Sequence, residues 1–296
     1  MNIPIKSLHY FLTLVETGNF TRAAEKSFIT QPTLSKIVQR LEDNLGQQLL
    51  HRNNQKIELT QAGILLQHSA QEILGQWHRL QEDLTNLSGL KSGNLRLGVC
   101  PMMSSLIIDL LTAFRQQYPG IELQMYEYGG FGCEKALLNN SLDIAFTALP
   151  TTHDEELANR ALTRYPLLAC LPKDHALAQQ DAVTWQDFEA YPFILYNEDF
   201  SLAKLITRLS HQAGVQLNIA FRSGQWDFLA TMVEAQMGVA ILPEPICHKL
   251  QGSELVFRPI KPNLTWDLAL IWRKDLPLTP AAQALLDLSE QAHLHP

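Results

Sequence analysis

Between Phe28 and Arg52 the chain reads FITQPTLSKIVQRLEDNLGQQLLHR. Thr33, Lys36, Gln39 and Arg40 fall on one side of a helical repeat. Hydroxyls, amides and cations at that spacing have two uses. They can be solvated, as most outer helix faces are, or they can hydrogen-bond to base edges and phosphates. Leu34, Ile37, Leu41 and Leu45 fall on the opposite side and predict one buried stripe. The stretch alone leaves both uses of its polar side open.

Other reactive side chains point away from catalysis. The ten histidines are scattered, with no HExxH pair and no other close metal spacing. "GGFG" from Gly129 lacks the GxGxxG spacing of a dinucleotide loop. No Ser-His-acid ordering stands out. The expectation is no catalytic residue, no metal and no cofactor, and a protein that is not an enzyme. Cys100, Cys133, Cys170 and Cys247 are far apart without a CxxC pair, which suits free thiols in a reducing cytoplasm.

Net charge is -7, but its distribution is uneven. The first 60 residues hold seven Lys/Arg and five Asp/Glu, whereas the rest of the chain holds 16 and 25. A mildly basic head on an acidic body is compatible with phosphate contact at one end. No run of 18 apolar residues exists, and the N-terminus lacks the layout of a signal peptide, so a cytoplasmic protein with no membrane partner is expected.

The elements that position the polar side come next. Apolar spacing predicts short helices over about Leu8–Glu16 and Thr21–Lys26, the second carrying Ala23 and Ala24 for close packing. "SFIT" is a turn. Thr30 is an N-cap, Pro32 lies in the first turn, and Gly46 stops the third helix after Leu45. This is a helix-turn-helix plan. "LLHRNNQKIELT" then reads as a small hairpin, a wing, with Arg52, Asn53 and Lys56 at its tip. Leu66, Ala70, Ile73, Trp77, Leu80, Leu84 and Leu87 alternate steps of four and three, a heptad seam that predicts pairing with a second copy of the chain. "SGLKSGN" serves as a linker.

From Leu95 the pattern becomes β-α-β-α-β and then repeats, with "LALIW" and a final helix near the end. Two α/β halves with a late return of the chain predict two lobes around a cleft. Ligands in such sheets bind beyond the carboxyl ends of the strands, here the loops 101–105, 129–132, 197–201 and 224–226. Cys100 and Cys133 flank that cleft, which makes redox sensing an alternative ranked below small-molecule sensing, because buried free cysteines are commonly inert. The body alone would also suit a solute-binding protein.

The head, "LHYFLTLVETGNFTRAAEKSFITQPTLSKIVQRLEDNLGQQLLHRNNQKIELTQAG", resembles the LysR-type transcriptional regulators. "YPGIELQMYE", "LDIAF" and "MVEAQMGVAILP" resemble that family's effector domain, so the likeness spans essentially the whole chain. It implies an α+β multi-domain protein: a winged helix-turn-helix over 1–60, a dimerising linker helix and hinge over 61–93, and a two-lobed, periplasmic-binding-protein-like effector domain over 94–296. Lobe I would take about 94–165 with 268–296, and lobe II about 166–267. The resemblance implies promoter DNA as partner, a small-molecule effector, and dimers assembling into tetramers.

It also implies roles. Gln31, Pro32, Thr33, Ser35, Lys36 and Gln39 would approach bases, with Lys36 and Arg40 on guanine or phosphate and Arg22 on phosphate. The wing residues Arg52, Asn53 and Lys56 would meet phosphates. Met102, Ser104, Ser105, Gly130, Phe131, Phe200, Ser201, Gln225 and Trp226 are the effector candidates. After "YEYG" many members carry a hydroxyl residue, whereas this chain has Gly130.

Overall fold

The computed structural model describes residues 3–51, 57–86 and 92–291, and of these the side chains at 79, 82, 83, 85, 86, 104, 105 and 291 stand outside the description. The chain forms two compact units, one of residues 1–87 with 139–141 and one of the remainder.

The head has α1 (Ile5–Thr17), α2 (Phe20–Lys26) and α3 (Gln31–Leu45). Asn19 caps α2, its Oδ1 accepting from the Thr21 and Arg22 N–H groups at 2.9 and 3.1 Å. Gly46, at φ 64°, ends α3 as its spacing predicts. Phe11, Leu14, Ala23, Ala24, Leu34, Val38 and Leu41 make the core. The buried stripe of α3 is rotated from expectation: Val38 and Glu42 are buried, while Ile37 and Leu45 are half-buried.

Glu42 explains the rotation. Its Oε1 accepts from the Leu49 N–H at 2.8 Å and the Leu50 N–H at 3.4 Å, at the entry to the wing. There β1 (Leu50–His51) and β2 (Glu58–Leu59) pair antiparallel, Leu50 opposite Leu59. A buried carboxylate that accepts backbone N–H groups satisfies donors that would otherwise cost about 1–3 kcal/mol each.

Thr60 then caps α4 (Gln61–Asn86), accepting from the Gly63 N–H at 3.0 Å and donating to the Gln48 carbonyl at 2.6 Å. A Cβ on Gly63 would lie 2.1 Å from the Leu49 carbonyl oxygen, so only glycine lets α4 meet the wing backbone. Along α4 the heptad positions divide. Ala70 is fully buried in the head core and Leu66 packs against it. Ile73, Trp77, Leu80 and Leu84 are 42–59% exposed, so the seam left open within one chain begins at Ile73. Leu87 lies outside the described residues.

The body contains, in order, β3 (Gly93–Val99), α5 (Ser104–Gln117), β4 (Ile121–Glu127), α6 (Gly130–Leu138), β5 (Ile144–Leu149) and β6 (Leu157–Pro172). There follow β7 (Val183–Thr184), β8 (Pro192–Tyr196), α7 (Ser201–Gln212), β9 (Asn218–Ser223), α8 (Trp226–Glu234) and β10 (Ala240–Pro243). The last elements are α9 (Glu244–Lys249), β11 (Leu255–Lys261), β12 (Thr265–Arg273) and α10 (Pro280–Gln291). Among the described residues, β4, β3, β5, β12, β6, β11 and β7 line up in that order in one sheet, and β10 joins on β6.

The 16-residue β6 makes two lobes of this sheet. Its first half pairs with β12, beside the parallel β4, β3 and β5. Its second half pairs with β10 and β11, in the lobe that also holds the parallel pair β8 and β9. The two crossings, in β6 and just before β12, are the late return of the chain that the sequence pattern implies. Arg96 and Asp143 pin the first lobe: Asp143 accepts from the Arg96 backbone N–H at 2.8 Å and its guanidinium at 2.5 Å. β11 escapes sequence reading because Pro259 interrupts it; β7 reaches only Ile260 and Lys261, so the proline leaves no ladder bond unmade there.

Candidate DNA-reading face and effector cleft

In the head, Gln31, Pro32, Thr33, Ser35, Lys36, Gln39 and Arg40 are all exposed on α3, and Arg22 is exposed on α2. Leu34, Val38 and Leu41 hold the opposite side of α3 in the core, which fixes the rotation of the polar side. Pro32 in the first turn leaves that end of α3 without a side-chain cap, and Thr30 Oγ1 instead lies 2.8 Å from Thr33 Oγ1. Gln39 Nε2 donates to Asp43 at 3.0 Å. Arg52, Asn53 and Lys56 lie outside the described residues. One exposed residue was not singled out by pattern. Phe28, in the turn before α3, is 96% exposed and sits at φ 53°.

In the body, the expected effector residues separate by burial. Met102 and Phe200 are buried in the main core, while Phe131 is 38% exposed. The side chains of Ser104 and Ser105 lie outside the described residues, although α5 does start at Ser104. Gln225 is exposed at the N-cap of α8, and Trp226 lies half-buried with Lys249 Nζ 6.0 Å from its ring.

Gly130, Phe131 and Ser201 meet where the lobes face each other. A Cβ on Gly130 would lie 2.8 Å from both Ser201 Oγ and Thr147 Oγ1. The space a side chain at position 130 would need is thus taken by the hydroxyls of two other residues. The Phe131 N–H donates to the Asp199 carbonyl across the lobes at 3.4 Å. Lys204 Nζ lies 4.3 Å from the centroid of the Phe131 ring, and His153 stacks on that ring at 5.9 Å. Glu134, almost fully buried, accepts from the Thr152 N–H at 2.9 Å and from its hydroxyl at 2.5 Å, and pairs with His153 Nδ1 at 2.8 Å. A cavity of about 240 Å³ lies here, walled by Phe131, Glu134 and Pro150–Thr152 on one side and by α7 on the other.

Two buried hydroxyls in this region have no partner among the described residues: Thr147 on β5 and Tyr196 at the end of β8. Both lie on strands of the parallel portions of their lobes, whose carboxyl ends face the cleft. Burial pushes the Tyr196 phenol well above its usual range. Hydroxyl positions inside strands look like ordinary core positions in a sequence, which is why neither was legible there.

The four cysteines are free and buried. Burial pushes the Cys100 thiol up to about 11 and the Cys247 thiol up to about 12, and raises those of Cys133 and Cys170 as well. Cys133 is fully enclosed among Leu137, Leu142 and Ile271. A thiol held protonated and away from solvent is a poor nucleophile toward peroxide, so the placement of Cys100 and Cys133 does not favour redox sensing. The groups of three or more His, Cys, Asp or Glu that would hold a metal are absent among the described residues. None of the described helices is long and apolar enough to cross a membrane.

A winged helix-turn-helix joined by a long helix to a two-lobed α/β body defines a ligand-responsive DNA-binding regulator. Residues 5–64 match the bacterial regulatory helix-turn-helix protein model of the lysR family, and residues 88–293 match the LysR substrate binding domain. The chain is 34% identical over 285 residues to the HTH-type transcriptional regulator YwbI of Bacillus subtilis (strain 168), covering 96% of this chain and 94% of that protein. It is 28% identical over 288 residues to the DNA-binding transcriptional dual regulator OxyR of Escherichia coli (strain K12), covering 96% and 93%. The fold matches that of full-length CbnR complexed with its target DNA at a TM-score of 0.69 and 20% identity, covering 97% of this chain and 99% of that one. The chain belongs to the LysR family of DNA-binding transcriptional regulators and carries that family's effector-binding domain.

Proposed function

We propose that this regulator reads promoter DNA through Gln31, Pro32, Thr33, Ser35, Lys36 and Gln39, with Arg22, Arg40, Arg52, Asn53 and Lys56 on phosphates. The observation that carries this reading is the exposed polar side of α3, set by the buried Leu34, Val38 and Leu41. Its length and its free first turn suit the major groove. CbnR, of the same fold, is known bound to its target DNA. The head spans 1–60, the linker 61–93 and the effector domain 94–296.

The protein works in the cytoplasm by binding rather than by turnover. It dimerises through the exposed Ile73, Trp77, Leu80 and Leu84 of α4, and dimers pair into tetramers. A small molecule between the lobes, near Gly130, Phe131, Phe200 and Ser201, biases the grip on DNA. The hydroxyl of Thr147, unpartnered among the described residues and set against Gly130, supports a polar ligand there.

Gel-shift titration of the operator tests the reading. Lys36→Ala is expected to weaken binding severely while the oligomer, followed by sedimentation, stays unchanged. Wild-type affinity in that variant would remove Lys36 from the interface. Arg52→Ala is expected to weaken binding to all sequences alike and to lower the salt slope by about one unit, as loss of one phosphate contact does.

A further inference from the structure

The cavity between the lobes carries more charge than a generic ligand needs. Lys204 and Arg208, one turn apart on α7, both line it, and both are exposed. Among the described residues no carboxylate pairs with either. Lys204 has the Phe131 ring as its near neighbour, 4.3 Å away. The facing wall supplies one carboxylate, Glu134, whose oxygen is already engaged by Thr152 and His153. Of the charged residues that line the cavity, Lys204 and Arg208 against Glu134 leave one net positive charge. An arginine fork and a lysine ammonium beside an aromatic ring are the groups that hold a carboxylate.

We propose that the effector is a small organic monoanion, a monocarboxylate, whose carboxylate is held by Lys204 and Arg208 while its body rests against Phe131. The inference rests on the reading of the protein as an effector-responsive regulator and names the class of that effector. A phosphate dianion fits less well, because Glu134 in the facing wall offsets one of the two cations and repels the added charge. Ser201 opens α7 at the same cavity and adds the helix's free N–H end. Beside the cavity, Thr147 adds a fully buried hydroxyl that has no partner among the described residues and abuts Gly130 at the lobe contact. A ligand that touches Phe131 on one lobe and Lys204 and Arg208 on the other binds only when the lobes are together, so it shifts the population toward that state.

The test is isothermal titration calorimetry of the full chain with acetate, pyruvate and benzoate. Benzamide serves as the neutral match for benzoate, and inorganic phosphate as the dianion. At least one carboxylate is expected to bind the wild type, and to bind Lys204→Met and Arg208→Met about tenfold or more weakly. Benzamide is expected not to bind, and phosphate to bind less tightly than the best carboxylate. The proposal is overturned if none of the three carboxylates binds, if both variants bind as the wild type does, or if phosphate binds tightest. Operator binding of wild type and variants without any added anion is measured in parallel. Its absence in the wild type would defeat the regulator reading and leave the anion result standing by itself; its presence in both variants shows that they are folded.

Discussion

Gly130 of the first lobe and Ser201 of the second are in direct contact, so close that a Cβ at 130 would lie 2.8 Å from the Ser201 hydroxyl. Thr147 closes the other side of the same point at the same distance. Gly130→Ala therefore pushes against Ser201 at the start of α7 and against Thr147 on β5. The expected outcome is faster amide exchange at residues 129–131 and 199–204, with a loss of about 1–3 kcal/mol in stability, the usual cost of overpacking. Unchanged exchange in both segments would mean that the neighbouring side chains absorb the methyl group locally.

Glu42 points to a different prediction, in the head. Its buried carboxylate bonds the N–H groups of Leu49 and Leu50 at the base of the wing. Glu42→Ala leaves those donors buried without that acceptor. The head is expected to lose about 1–3 kcal/mol on urea unfolding. Operator affinity falls with it, through the wing. A Glu42→Ala protein of wild-type stability would show that water replaces the carboxylate.

The thiols give a prediction in pH. Burial raises Cys100 to about 11 and Cys247 to about 12, above the usual 9.0 of an unfolded thiol. Between those values the unfolded chain loses the proton and the folded chain keeps it, so folding stability falls as pH rises past 9 and on through 11. Below pH 9 these thiols make no pH-dependent difference. At pH 7.5 native protein is expected to resist peroxide, with no sulfenic acid trapped by dimedone on mass spectrometry and no change in operator affinity. Labelling of Cys100 or Cys133 in the native state would restore the redox reading.

Phe28 carries a testable strain. It is 96% exposed and adopts φ 53°, a left-handed conformation that costs a residue with a side chain of this kind about 1–2 kcal/mol. Phe28→Gly is expected to raise the thermal midpoint of the head, and Phe28→Asn to do so by less. If both variants melt at or below the wild-type temperature, the aromatic ring has a partner that stabilises the turn.

Most of the head was legible in the sequence because its information is local. Helical spacing, the Thr30 and Gly46 boundaries of α3 and the Ala23-Ala24 contact are each set by residues within a turn or two of one another. Most of the order of strands and helices in the body was legible for the same reason, with β7, α9 and the proline-interrupted β11 the exceptions: period and turn residues are local signals. The seam of α4 was half legible. Spacing predicted one stripe from Leu66, but the head core takes Leu66 and Ala70 for itself and leaves the stripe open only from Ile73.

By itself, then, the sequence determined most of the elements, the two-part plan and the exposed polar side of α3, since periodicity says which side of a helix is buried. Tertiary structure alone decided what meets between the lobes. Glu134, Thr147, Lys204 and Arg208 are scattered over some seventy positions, and each looks like a common core or surface residue in its own segment. They come together between the lobes only because β6 runs through both halves of the sheet and the chain returns at β12, which brings α6 and β5 against α7. A burial pattern records that a residue faces inward or outward; it does not record which distant residue it faces.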